Sequence, residues 1–434
     1  MQQSDWQVAS FGDCADFQEG YVNPAQSVAT YFDGPISWLR AVDLNDGFVT
    51  ATSRTLSEEG FRSAGKSATM FPAGSLAISK SGTIGRIGIL QHEMCGNRAV
   101  INVKPRSDRL DLRFAFYAML LGRPEIERFA EGSVQKNLYV SALSKFKFLL
   151  PPLPEQRTIA SVLGALDDKI ELNRRMNETL EAMARAIFKD WFVDFGPTRA
   201  KMAMRGEDPQ KEGTARAPYL APDIWSLFPD RLDDEGKPEG WIETTVGTEF
   251  NLTMGQSPPG ETYNESGDGL PFFQGRTDFG FRYPVRRKFC SAPTRVARPD
   301  DTLVSVRAPV GDLNMAWEEC CIGRGVAAVR HKRGGRGYTQ YSMQFLQPAI
   351  ARFEDSGSVF GAINKVQFER LRVISPPPEL MDQFEATVQG MDDRIRSNTS
   401  ESETLAATRD FLLPKLMSGE VRVKEAEKIA GDAT

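Results

Sequence analysis

One segment of this chain occurs twice. Pro151-Pro152 followed by Leu166-Asp167-Asp168-Lys169-Ile170 returns as Pro376-Pro377 followed by Met391-Asp392-Asp393-Arg394-Ile395, each pair 225 residues apart. Gly132-Ser133-Val134 and Gly357-Ser358-Val359 keep the same spacing, as do Asn173 with Asn398 and Leu180 with Leu405. Whatever the first copy builds, the second must build again. The flanking parts match more loosely. Trp6, Gly12 and Gly20 correspond to Trp241, Gly247 and Gly255 at a spacing of 235, while Gly85, Cys95, Arg98 and Val100 correspond to Gly311, Cys321, Arg324 and Val326 at 226. Loops of different length explain the drift. Closely matched segments suit a shared job, and loosely matched ones suit different versions of one job.

The closely matched segments read as helices. From Glu155 to Trp191, seam residues fall at Ile159, Leu163, Leu166, Ile170, Asn173, Asn177, Leu180, Ala184, Ile187 and Trp191. Steps of four and three alternate without a break, the heptad spacing of a coiled-coil seam. The prolines of PPLP suit the start of a helix and not its interior. About 35 residues at 1.5 Å each give a rod of roughly 50 Å. The second copy repeats the pattern at Phe384, Val388, Met391, Ile395, Asn398, Ser402 and Leu405, and Arg409 interrupts it. Two such helices in one chain pair naturally with each other. Asn173 and Asn398 either fix the register of that pairing or sit in a partly wet seam.

Residues 1–150 and 241–375 read as mixed α/β. Short β-rich runs such as Ser75–Ile78, Ile84–Leu90 and Ala99–Val103 lie between Gly, Pro and Asp turns, with helices expected at Leu110–Leu121 and Tyr338–Arg352. Gly196–Gly240 is rich in Pro, Gly and charge and reads as a connector anchored by Trp225, Leu227 and Phe228.

Charge narrows the partner. The chain carries a net −5, so any nucleic-acid surface is a local patch. Arg282–Arg336 holds twelve Lys/Arg against five Asp/Glu, with Phe281, Tyr283 and Phe289 interleaved. Such a stripe suits phosphate contacts, or else forms a solvated face. Long Arg, Lys, Gln and Asn side chains can bond two base-edge atoms at once. The candidate contacts in the first domain are Lys80, Ser81, Thr83 and Arg86 with Gln135, Lys136 and Asn137. In the second they are Gln274, Arg276, Arg286, Arg287, Lys288, Arg307, Asn364 and Lys365.

Several chemistries are excluded. Five cysteines form no CxxC pair, and with only His92 and His331 neither a zinc site nor a Ser/His/Asp constellation is expected. Neither a secretory leader nor a membrane span is expected, which points to the cytoplasm. Gly60–Ser67 fits GxxxxGK[ST], but Ser57-Glu58-Glu59 is no buried strand and Pro72 and Gly74 follow too soon for a helix; an NTPase centred on Lys66 is the rival that this match raises. Gly82–Gly88 has GxxGxxG spacing, not the dinucleotide fingerprint. Ser257-Pro258-Pro259-Gly260 shares only prolines with the catalytic loop of adenine methyltransferases. Asp167-Asp168 and Asp392-Asp393 are neighbours on helices and so diverge; a solvated or partner-facing role is expected of them.

Residues 151–192, PPLPEQRTIASVLGALDDKIELNRRMNETLEAMARAIFKDWF, resemble the central conserved region of specificity subunits of type I restriction–modification enzymes. SPPPELMDQFEATVQGMDDRI (375–395) is similar to their distal conserved region, although Glu379-Leu380-Met381 stands where the first copy has PEQ. Trp6…Gly12 and Gly240-Trp241…Gly247 resemble the starts of their target-recognition domains. The resemblance implies an α/β (α+β) fold with two target-recognition domains in tandem, each followed by a long helix. The helices would pair as an antiparallel coiled coil with pseudo-two-fold symmetry. The expected boundaries are 1–153 and 241–378 for the domains, 154–195 and 379–417 for the helices, 196–240 for the connector and 418–434 for a flexible tail. Each domain would read one half of a bipartite DNA site in the major groove, for which half-sites on one face lie about 34–36 Å apart. The resemblance further implies two methyltransferase subunits and added restriction–translocase subunits. Those partners would bring S-adenosylmethionine, ATP and Mg²⁺, and this chain would hold no cofactor, no metal and no catalytic residue. An adaptor that keeps the helices without reading DNA is the alternative.

Overall fold

The computed structural model describes residues 6–131, 136–207, 217–354 and 361–431. It divides into two compact units, Met1–Arg175 with Asn398–Thr434, and Met176–Ser397. No helix among the described residues is long and apolar enough to cross a membrane.

In the first unit, the runs Leu76–Ser79 and Ile87–Leu90 are buried at every position. Uninterrupted apolar runs of this length suit strands covered on both faces. They lie inside a five-stranded sheet with Ala15–Glu19, Val100–Pro105 and Gly47–Val49, in the order Ala15–Glu19, Val100–Pro105, Leu76–Ser79, Ile87–Leu90, Gly47–Val49. Only the last pairing is parallel. The helix Leu112–Leu121 covers one face; Asp111 caps it by accepting from the amides of Arg113 and Phe114 at 3.0 and 3.1 Å. The second unit repeats the arrangement. Phe250–Met254, Val326–His331, Thr302–Ser305 and Leu313–Met315 form its sheet in that order, and Arg336–Ala351 is the covering helix.

The long helices are Leu153–Phe192 and Pro378–Met417, 40 residues each. In the first unit they run antiparallel: Asp167 meets Arg409 at 2.7 Å, while Asn173 Nδ2 donates to Glu401 at 2.7 Å and Ser402 at 3.3 Å. Asn173 is thus bonded across the seam through its Nδ2. In the second unit Phe188 and Trp191 lie 5.4 and 6.0 Å from the Phe384 ring, again antiparallel.

Two expectations change beyond the long helices. The second helix reaches Met417, as expected, and Arg409, which interrupts its heptad pattern, pairs with Asp167. The stretch after it is not a free tail, since Val423–Gly431 is a helix with Ala426 fully buried in the first unit's core beside Leu412, Leu413 and Leu416. The connector likewise carries a helix, Gly196–Met204, and Phe228 packs 5.3 Å from Trp191. These two short helices repeat each other: Lys189–Asp194 and Lys415–Glu420 ion pairs, 226 residues apart, close the ends of the two long helices.

Candidate nucleic-acid interface

The acid pairs have internal work. In the first unit Asp167 accepts from the Tyr117 hydroxyl at 2.5 Å, and Asp168 takes both Arg113 nitrogens at 2.9 Å. Tyr117 and Arg113 belong to the domain's covering helix. In the second unit Asp392 accepts from the Tyr341 hydroxyl at 3.2 Å and Asp393 pairs with Arg336, both on the equivalent helix. Each acid pair therefore clamps a domain to a long helix, which corrects the solvated or partner-facing role. Adjacent residues diverge on a helix, and here both directions meet the same neighbouring helix. Burial pushes the Asp392 carboxyl above the usual carboxylate range, against the pull of Arg282. Arg282 is itself buried and meets Asp392 at 3.2 Å, the Tyr341 hydroxyl at 2.8 Å, and Glu181.

The PEQ triplet is also internal. Trp6 Nε1 donates to Glu155 at 3.1 Å. Gln156 is buried, accepts from the Asp111 amide at 2.9 Å and donates to the Arg109 and Pro151 carbonyls. In the second copy Leu380 and Met381 occupy those places, buried in a core with Trp191, Phe192 and Trp241. Polar anchoring in one copy is apolar packing in the other.

The candidate contacts of the first domain gather at one loop. Ser79 is buried; its Oγ donates to the Thr83 carbonyl at 2.5 Å and accepts from the Arg86 amide at 2.9 Å. Gly85 closes the loop at φ +86°, a backbone conformation that glycine adopts without strain, with its amide on the Ser79 carbonyl at 3.0 Å. The Leu138 amide donates to the Lys80 carbonyl at 2.9 Å, which brings Lys136 and Asn137 beside the loop. Thr83, Arg86 and Lys136 are exposed, Ser81 is half-buried, and Lys80 is tied to Glu19 at 2.9 Å. Gln135 lies outside the described residues.

The second domain has the same loop. Ser305 Oγ donates to the Pro309 carbonyl and accepts from the Asp312 amide, both at 2.8 Å. Gly311 closes it at φ +97°, and the Ile363 amide donates to the Val306 carbonyl at 3.1 Å. Around it stand Arg276, 2.9 Å from Asp312, and Gln274, whose carbonyl accepts from the Gly325 amide at 3.2 Å. Asn364 caps the short helix Lys365–Glu369 through the Gln367 amide at 3.0 Å, and Lys365 lies 3.6 Å from Glu369. Arg286, Arg287 and Lys288 lie apart from this loop, on the exposed approach to the strand Phe289–Cys290. Arg286 pairs with Glu318 at 2.7 Å and Arg287 with Asp278. Arg307 is exposed at the loop tip, and among the described residues no ion pair holds it.

Sequence reasoning missed Arg282 and the serine staples. The staples had a signal, because Ser79 and Ser305 share the 226-residue spacing of Gly85 and Gly311. Gly60–Ser67 does not form a nucleotide loop. It spans the end of a short helix, Glu58–Arg62, capped by Ser57, and a 3₁₀ turn at Gly65–Ser67; the strand before it, Thr55–Leu56, is only two residues long, and no α-helix opens at Lys66. Among the described residues no group of three or more His, Cys, Asp or Glu side chains is placed to hold a metal ion.

Residues 3–182 match the family described as type I restriction modification DNA specificity domain. The chain is 30% identical over 294 residues to the MjaX type I restriction enzyme specificity subunit of Methanocaldococcus jannaschii, covering 67% of this chain and 63% of that one. It is 23% identical to that organism's MjaIX specificity subunit over 97% of this chain and 94% of the relative. The crystal structure of the type I restriction–modification S subunit from M. genitalium superposes with a TM-score of 0.54 at 17% identity, covering 96% and 97% of the two chains, and so shares the fold. These matches make the chain similar to the specificity subunits of type I restriction–modification systems.

Proposed function

We propose that this chain reads a bipartite sequence in duplex DNA, one half with each domain, and so directs adenine methylation and restriction carried out by partner subunits. The observation that supports this most is the repetition of one rigid, stapled loop in both domains with different side chains at its tip. A shared scaffold with unlike tips suits two readers of unlike half-sites. Methylation of a base requires it to leave the stack, so the flipping falls to the methyltransferase subunits while this chain supplies the address. S-adenosylmethionine, ATP and Mg²⁺ then belong to the partners, and this chain carries none of them. Methylome sequencing of cells that express the chain with its methyltransferase tests the reading. A split motif with two different halves is expected, and a continuous motif would overturn it.

A further inference from the structure

The two stapled loops match bond for bond in their hydrogen-bond pattern. Ser79 and Ser305 are the anchors, and Gly85 and Gly311 the closing residues. The Lys80 amide on the Ala99 carbonyl at 2.7 Å matches the Val306 amide on the Gly325 carbonyl at 2.9 Å. Leu138 on Lys80 matches Ile363 on Val306. Every one of these pairs is 225 or 226 residues apart. In that register Ser81 of the first loop stands where Arg307 stands in the second.

The cations of the second domain divide by what holds them. Arg276, Arg286 and Arg287 are each spanned by a carboxylate, so they sit at fixed positions with their charge partly answered. Arg307 is exposed, uncommitted among the described residues, and mounted on a backbone fixed at both ends by buried serine and glycine bonds. Phosphate contacts tolerate a mobile cation because they act through charge. Base-edge contacts require uncommitted donors carried on a backbone held in one place, and Arg presents its two donors to the O6 and N7 acceptors of guanine.

Resting on the reading of this chain as a bipartite-site reader, we infer that Arg307 reads a guanine in the second half-site, and that Ser81 occupies the matching reading position for the first. Both residues are specificity determinants of one kind, set on interchangeable loops. The test is methylome sequencing of cells expressing the chain with its methyltransferase, in wild-type form and as Arg307→Ser and Ser81→Arg. Wild type should show a guanine at the position that Arg307→Ser relaxes. There the preference for guanine should fall roughly 5- to 150-fold, the worth of one bidentate contact, with the other half unchanged. Ser81→Arg should alter the base accepted at one position of the opposite half only. If Arg307→Ser leaves every position of a split motif unchanged, the inference falls and the bipartite reading stands. If it weakens modification evenly at all positions, Arg307 is a phosphate contact and the inference also falls. If wild type shows no split motif, the underlying reading itself falls.

Discussion

Arg282 sits just before the basic triplet Arg286-Arg287-Lys288 and looks like a member of the same stripe, yet its guanidinium is buried between Glu181, Asp392 and Tyr341. Removing one member of such a pair strands a buried charge. Arg282→Met should therefore cost roughly 3–5 kcal/mol, whereas Arg286→Ala, which opens only an exposed pair, should cost no more than about 1 kcal/mol. Urea denaturation of both variants checks this, and equal losses would refute the assigned burial. The cysteines give a second check. All five are buried, and burial pushes the Cys95 thiol up to about 12 and Cys321 up to about 11. Since the thiolate is the reactive form, the native protein at pH 8 should titrate essentially no thiol with a disulfide reagent, and all five once unfolded in guanidinium. A fast-reacting native thiol would contradict the packing of the elements that carry them.

At the scale of elements, the seam is held by different chemistry in each unit. Polar bonds from Asn173 to Glu401 and Ser402 hold the first, and a cluster of aromatic rings around Phe384 the second. Trp191→Ala should accordingly cost roughly 3–5 kcal/mol through the cavity it leaves, and Asn173→Ala only about 1–3 kcal/mol. Thermal denaturation read in each unit separately distinguishes the two, because a chain of two units need not unfold in one step. The C-terminal helix makes a sharper case. Deleting residues from 421 onward uncovers Leu412, Leu413 and Leu416 and removes Val421, Val423 and Ala426 from the core. At about 0.8 kcal/mol per buried methylene, the first unit should lose at least about 2 kcal/mol. A truncation that left its melting unchanged would restore the flexible-tail reading.

For the whole molecule, an acidic chain that binds DNA must do so through local cations, and its affinity must fall steeply with salt. Replacing Arg286, Arg287 and Lys288 together by Ser should weaken binding to all duplexes alike and lower the salt slope by about 0.9 for each phosphate no longer neutralised. Binding titrations over a salt series would show this, and an unchanged slope would remove these residues from the interface.

The helices were legible from the sequence almost to the residue. Glu155 to Trp191 was expected and Leu153–Phe192 is found, because heptad spacing is written into the chain locally. The repeat was legible for the same reason, and with it the existence of two similar domains. The roles of individual charges were not. Asp167 and Asp168 read as solvated or partner-facing, yet Tyr117 and Arg113, some fifty residues earlier, face them. Arg409 reads as an interruption, yet Asp167 answers its charge across the seam. Arg282 and Arg307 are the same residue type in the same basic stretch, and only tertiary contacts bury one and leave the other uncommitted at a loop tip. Periodicity is a property of neighbours in sequence, so the chain alone determined its helices and its duplication. Burial and ion pairing are properties of neighbours in space, so the fold decided which charges clamp the domains and which remain to meet a partner.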